Sequence, residues 1–160
     1  MVCPSDHLEP IIYHSFKGQK YFYTSLGNTV DFDNGTLREI AKLIADNDIE
    51  KVTFILSENN RIALDALSNQ YLIKVRGLDK AYRRFLTYKR LSLKSWQMNN
   101  YRTMIISHHL NQKIEEMRNG LHDLLPVQPE INGKVFSKSM SSFRPIYSRL
   151  VCVVNSNILN

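Results

Sequence analysis

The amino-acid sequence predicts an α/β domain: a mainly parallel sheet of about four strands flanked by helices, with a long helical segment before the C-terminal strands. Three observations carry this. A short aromatic strand signal is followed by an amphipathic helix. Next comes the run Lys51-Val52-Thr53-Phe54-Ile55-Leu56, β-branched and apolar enough for a central strand buried on both faces. A second amphipathic helix follows that run. Strand, helix, strand, helix in this order calls for right-handed crossovers between parallel strands.

The elements read as follows. Gly18 precedes Lys20-Tyr21-Phe22-Tyr23-Thr24, a strand, and Leu26-Gly27-Asn28 turns the chain. Asn34-Gly35-Thr36 opens a helix, and Leu37, Ile40, Ala41, Leu43 and Ile44 follow at helical spacing to about Asn47. After Leu56, Ser57 is the expected N-cap of a helix marked by Ile62, Ala63, Ala66 and Leu67. Leu78 to about Leu91 and Ser95 to about Leu125 read as helices, a helical excursion over 78–125, ended by Pro126 and Pro129. Lys134-Val135-Phe136 and Ser148 to Val154 read as strands, with Arg144-Pro145 in the connection between them.

Composition bounds the rest. At 160 residues the chain is expected to form one domain, 1–160, with a core that needs neither disulfide nor metal. Apolar content of 43% and charged content of 22% are ordinary for a globular protein. No run approaches the roughly 20 apolar residues that span a bilayer, so no membrane partner is expected. Met1 to Asp6 lacks the basic-then-apolar order of a signal peptide, which predicts a cytoplasmic location. Cys3 and Cys152 lie at opposite ends and are expected to be free thiols. A short sheet with an uncovered edge or a missing strand leaves apolar surface, which predicts a homodimer or higher assembly.

Net charge is +6 and local. Lys74, Arg76, Lys80, Arg83, Arg84, Lys89, Arg90, Lys94 and Arg102 fall in one stretch whose only acid is Asp79. Tyr71, Tyr82, Phe85, Tyr88, Trp96 and Tyr101 are interleaved with them. Cations with aromatics are what single-stranded nucleic acid binding uses, so Lys80, Arg83, Arg84, Lys89, Arg90 and Lys94 form a candidate polyanion face. The competing reading puts Tyr82, Phe85 and Tyr88, at helical spacing, into the core and leaves a solvated charged face. His108 and His109, with Glu115 and Glu116, suggest metal ligands. Adjacent histidines point about 100° apart on a helix, however, so a solvated face is preferred. Cys3, Asp6 and His7 form only a weak metal pattern.

Three stretches resemble the β-class carbonic anhydrases. That family has a Cys-x-Asp-x-Arg motif, then Gly-Asp-Leu-Phe running into Arg-Asn-Ala-Gly-Asn, then a strand ending in Gly-His-x-x-Cys-Gly before a helix. Here Val2-Cys3-Pro4-Ser5-Asp6-His7-Leu8-Glu9-Pro10 stands at the first, Gly18 to Val30 at the second, and Lys51 to Leu67 at the third. The resemblance is strongest over 2–67 and implies a β-carbonic anhydrase-like fold.

The resemblance also implies where zinc would sit. Its three ligand positions fall on Cys3, Ser57 and Asn60, so only one keeps a zinc-binding side chain. The family's Asp-Arg pair falls on Ser5 and His7. A shift of one residue brings Asp6 to the aspartate position, and the arginine is still missing. No metal, no cofactor and no catalytic residue is therefore expected; zinc would return only if this ligand assignment were wrong. The first functional expectation is a carbonic anhydrase-like protein without a competent zinc site, a non-catalytic binding, structural or regulatory module. Cys3, Ser5, Asp6, His7, Ser57 and Asn60 would line a small-ligand pocket at the strand ends. The alternative is a nucleic-acid or polyanion binder through Lys74 to Arg102. The third is a residual metal-dependent carbonic anhydrase.

Overall fold

The computed structural model describes residues 1–92 and 101–147. In chain order the elements are α1 (Glu9–Ser15), α2 (Asn34–Asp46), β1 (Lys51–Ser57), α3 (Arg61–Leu67), α4 (Asp79–Ser92), α5 (Tyr101–Leu121), β2 (Glu130–Ser137) and β3 (Ser142–Pro145). Short 3-10 turns lie at Pro4–Asp6, Leu26–Asn28 and Tyr71–Lys74. No described helix is long and apolar enough to cross a membrane.

The strand order is β1-β2-β3. β1 and β2 run parallel from Lys51↔Glu130 to Ser57↔Phe136, while β3 is antiparallel to β2. The sheet among the described residues is thus three-stranded and mixed, where about four mainly parallel strands were expected. The reason lies at its two sides. Residues Ser142 to Pro145, read as a connection, follow a tight turn back along β2 and so pair antiparallel to it. Lys20 to Thr24 forms no continuous strand. Among the described residues its only sheet contact is a parallel bridge at Thr24 to Val2, which also bridges Ile55. A strand needs a partner along its length, and here the partner is essentially one residue long. The strand expected at Ser148 to Val154 lies outside the described residues, as do residues 95–100 of the second long helix.

Alternation along β1 divides the core. Phe54 and Leu56 point into the main cluster with Ile131 and Val135 of β2. Ile55 points to the other face, where Val2, Leu8, Ile12 and Phe136 close a smaller cluster under α1. Helices therefore cover both faces. In α2, Leu37, Ile40, Ala41 and Ile44 are buried at one-face spacing, and Asp33 caps the helix by accepting the Thr36 N–H at 2.8 Å. α2 lies close on α5 because Gly120 leaves room: a Cβ there would sit 2.5 Å from Leu37 Cδ1.

α3 starts later than expected. Ser57 ends β1, and Asn60 is the N-cap, accepting the Ala63 N–H through Oδ1 at 3.0 Å. Tyr82, Phe85 and Tyr88 of α4 are buried, as the helical spacing required of a core face. α5 differs from expectation at His109, which is fully buried and tilts against the Phe85 ring at 4.7 Å rather than facing solvent. His108 is half-buried and meets Tyr88 edge-on.

Candidate functional site

The residues singled out at 3–7 and 57–60 meet at the carboxyl end of β1. Val2 is held between two strand segments, donating to Tyr23 O at 3.0 Å while its carbonyl accepts from Ser25 N–H at 3.1 Å. The chain then turns through Pro4–Asp6 and ends the turn at His7, which has left-handed backbone (φ 53°) and an exposed side chain. That turn folds Cys3 inward and Asp6 across the end of β1.

Cys3 is fully buried and carries a free thiol. Its Sγ accepts the Gly27 N–H at 3.0 Å and shares a hydrogen bond with Ser5 Oγ at 3.1 Å. Gly27 is required here on two grounds. Its φ is +60°, and an added Cβ would lie 3.1 Å from Ile62 Cγ2 on α3. Asn28 follows, also left-handed and fully buried, and its Nδ2 donates to Ile55 O at 2.9 Å.

Asp6 and Asn60 form the centre of the cluster. Asp6 Oδ2 accepts the Ser57 N–H at 2.8 Å, and Asp6 Oδ1 accepts from Asn60 Nδ2 at 2.8 Å. Asn60 is fully buried, and its other end caps α3. Both ends of the amide are engaged, so Asn60 ties the carboxylate to α3, and the carboxylate in turn holds the end of β1 through Ser57 N–H. Burial pushes the Asp6 carboxyl above its usual range, with the Ser57 and Asn60 hydrogen bonds pulling the other way. Ser57 is nearly buried, and its Oγ accepts the Asn59 N–H at 3.2 Å. Beside this cluster Glu58 accepts from Ser137 Oγ at 2.8 Å and pairs with Arg144 at 3.2 Å.

A second layer, from α5, fixes the Gly27 loop. His109 Nε2 lies 2.9 Å from Gly27 O; a carbonyl only accepts, so Nε2 carries the proton and Nδ1 is left without a partner among the described residues. Burial holds the imidazole down to about 4, hence neutral. One turn on, Lys113 donates to Val30 O at 2.7 Å and to Glu116 at 2.6 Å, and lies 5.1 Å from the Phe32 ring centroid. Glu116 also pairs with Arg84 at 2.9 Å. α5 thus clamps the loop that presents Gly27 N–H to Cys3. His109 and Lys113, four apart and in register with Ile105 and Met117, share the buried stripe of α5; that spacing was the available signal in the sequence.

The basic residues are spread along α4. Lys80 pairs with Asp31, Arg84 with Glu116, and Lys89 donates to Leu67 O at 2.7 Å. Arg83 is exposed. The Arg90 side chain and Lys94 lie outside the described residues. With Tyr82, Phe85 and Tyr88 turned inward, those rings are not on the surface beside the cations. Among the described residues, no group of three or more His, Cys, Asp or Glu side chains is placed to hold a metal ion.

By fold, this chain is a β-carbonic anhydrase-like α/β domain. The wild-type β-carbonic anhydrase CafD of the filamentous fungus Aspergillus fumigatus superposes with a TM-score of 0.67 at 14% identity, over 91% of this chain and 86% of that one. A structure from a study of two tetrameric β-carbonic anhydrases of the filamentous ascomycete Sordaria macrospora gives 0.69 at 15% identity, over 91% and 77%. At these identities the likeness is one of fold. No family model and no curated protein matches the chain.

Proposed function

We propose that this chain is a carbonic anhydrase-like domain without a competent zinc site, working as a non-catalytic binding, structural or regulatory module. The observation that supports this most directly is the hydrogen bond from Asn60 Nδ2 to Asp6 Oδ1. The resemblance assigns zinc-ligand positions to Cys3, Ser57 and Asn60. Zinc takes thiolate, imidazole or carboxylate in a tetrahedron. Here one sulfur already accepts a backbone N–H, one position is a serine hydroxyl, and the third is an amide engaged at both ends. That donor set does not fit zinc, and no hydration step is derived through it. The hydrogen bonds joining Asp6, Ser57 and Asn60 instead do structural work, tying the N-terminal turn to the end of the sheet.

The test is metal content and activity together. The protein is produced in zinc-supplemented medium, its metal measured by mass spectrometry, and carbon dioxide hydration followed by stopped flow. We expect zinc far below one per chain and hydration at the buffer rate. Stoichiometric zinc with measurable hydration overturns the reading. The module is further proposed to be a homo-oligomer, which the tetrameric assembly named for the Sordaria macrospora enzymes supports. Sedimentation as a monomer at micromolar concentration would refute that part.

A further inference from the structure

The turn between α3 and α4 carries apolar side chains that the core does not take. In Tyr71-Leu72-Ile73-Lys74-Val75-Arg76, Leu72 packs on the core, while Tyr71 is 77% exposed, Ile73 40% and Val75 39%. Lys74 and Arg76, set among and after them, are exposed as well. Arg83 is exposed on the next turn of α4. The acids nearby are few. Asp79 opens α4, and Asp31 already pairs with Lys80. The surface formed by this turn is therefore both apolar and basic.

The backbone of the turn is closed on itself. Asp65, in the last turn of α3, accepts the Tyr71 N–H at 3.2 Å and the Leu72 N–H at 2.9 Å. Ile73 N–H donates to Gln70 O at 3.3 Å, and Val75 N–H to Leu72 O at 2.9 Å. Tyr82 OH donates to the same Asp65 carboxylate and ties it to α4. Leu72 and Leu78 fasten the two ends of the turn to the core. The amides of Tyr71, Leu72, Ile73 and Val75 thus need no water. A loop pressed out of water is penalised for each backbone group left unpaired, and here most of that penalty is absent. The turn is also held in one shape, so little backbone order is left to impose on docking.

We propose that this turn docks on the surface of an anionic lipid bilayer, with Tyr71, Ile73 and Val75 seated among the headgroups and Lys74, Arg76 and Arg83 on their anionic groups. Such a surface rewards apolar side chains and cations in one segment. Tyrosine suits the boundary, with an apolar ring and a polar tip. Single-stranded nucleic acid fits less well. It would meet one accessible ring here, because Tyr82, Phe85 and Tyr88 are buried, and it has no use for Ile73 and Val75. The contact is shallow and needs no spanning helix. It does not depend on whether the Cys3 site holds zinc.

The test sediments the full chain with vesicles of phosphatidylcholine alone and with vesicles containing roughly one third phosphatidylserine, at physiological ionic strength. The parent is expected on the phosphatidylserine vesicles and not on the others. Lys74→Gln with Arg76→Gln should weaken partitioning about thirtyfold, the loss of two basic residues from such a surface. Ile73→Ser with Val75→Ser should weaken it about tenfold or more. Lys17→Gln with Lys138→Gln removes the same charge from exposed positions elsewhere and should change it less than about threefold. Lys74→Glu alone, at an exposed side chain, gives the same reading if a pair disturbs the thermal melt. The proposal is overturned if the parent stays in solution with phosphatidylserine vesicles. Equal losses from the two lysine and arginine pairs overturn it too, since binding would then follow net charge. So does full binding by the Ile73→Ser, Val75→Ser protein, which would mean that no apolar side chain is seated.

Discussion

Replacing Asn60 by alanine should destabilise the protein by about 2–4 kcal/mol, and the loss should deepen as pH rises. Two bonds go at once. The Ala63 N–H loses its cap acceptor, at about 1 kcal/mol. Asp6 Oδ1 loses its donor in a half-buried position, and hydrogen bonds to charged groups contribute roughly 1.5–3 kcal/mol. The pH dependence has a definite sign. Burial raises the folded-state pKa of Asp6, and the Asn60 bond is one of the two hydrogen bonds opposing that rise. Without it the folded-state pKa climbs further while the unfolded value stays put. The variant then suffers most where Asp6 must be ionised, above its folded pKa, and less where the carboxyl is protonated. Urea unfolding at pH 7.5 and in mild acid measures both numbers. Asn60→Asp keeps an oxygen for Ala63 but sets two carboxylates together, so it should be worse than Asn60→Ala at pH 7.5. A loss below about 0.5 kcal/mol at both pH values, within the range of ordinary surface changes, would refute the central role of this side chain.

Other outcomes follow from the same geometry. Gly27→Ala should lower stability by about 1–3 kcal/mol in denaturant melts, from left-handed backbone and the approach to Ile62. A variant as stable as the parent would mean that the loop relaxes freely. His109 is neutral in the fold with its pKa lowered to about 4, so the unfolded chain takes up a proton that the folded chain refuses. Stability should therefore fall as pH drops from about 6.5 to 4, by up to about 1.4 kcal/mol per pH unit from this group. His109→Gln retains a donor for Gly27 O and should flatten that slope; an unchanged slope assigns the acid sensitivity elsewhere. Cys3 is fully buried, so in a Cys152→Ser background it should resist a thiol reagent until urea unfolds the chain. Rapid labelling of the native protein would contradict its packing against Gly27.

The strand–helix unit from Lys51 to Leu67 and the amphipathic helix at α2 were legible because local pattern decides them. β-branched apolar runs fill a two-sided strand, and apolar residues at one-face spacing fill a helix that lies on it. The resemblance to the β-carbonic anhydrases was legible for the same reason, since it rests on the order of those units and on the Gly27-Asn28 turn. The inward packing of Tyr82, Phe85 and Tyr88 followed from their spacing as well.

What the sequence could not settle was pairing across distance. Lys20 to Thr24 has a strand's composition, yet its ladder depends on what lies beside it, and among the described residues that is a single bridge from Val2 to Thr24. Ser57 was the expected cap of α3; β1 runs on through Ser57, and Asn60 takes the cap instead. His109 was read as part of a solvated face, and it is buried because Gly27 offers a carbonyl above it, as Val30 does for Lys113. The Asp6–Asn60 bond joins residues 54 positions apart, through a turn and a sheet edge that no local pattern encodes. Sequence alone determined which segments could be strand or helix; tertiary structure decided which polar groups met, because a buried donor is satisfied only by the acceptor the whole fold brings to it.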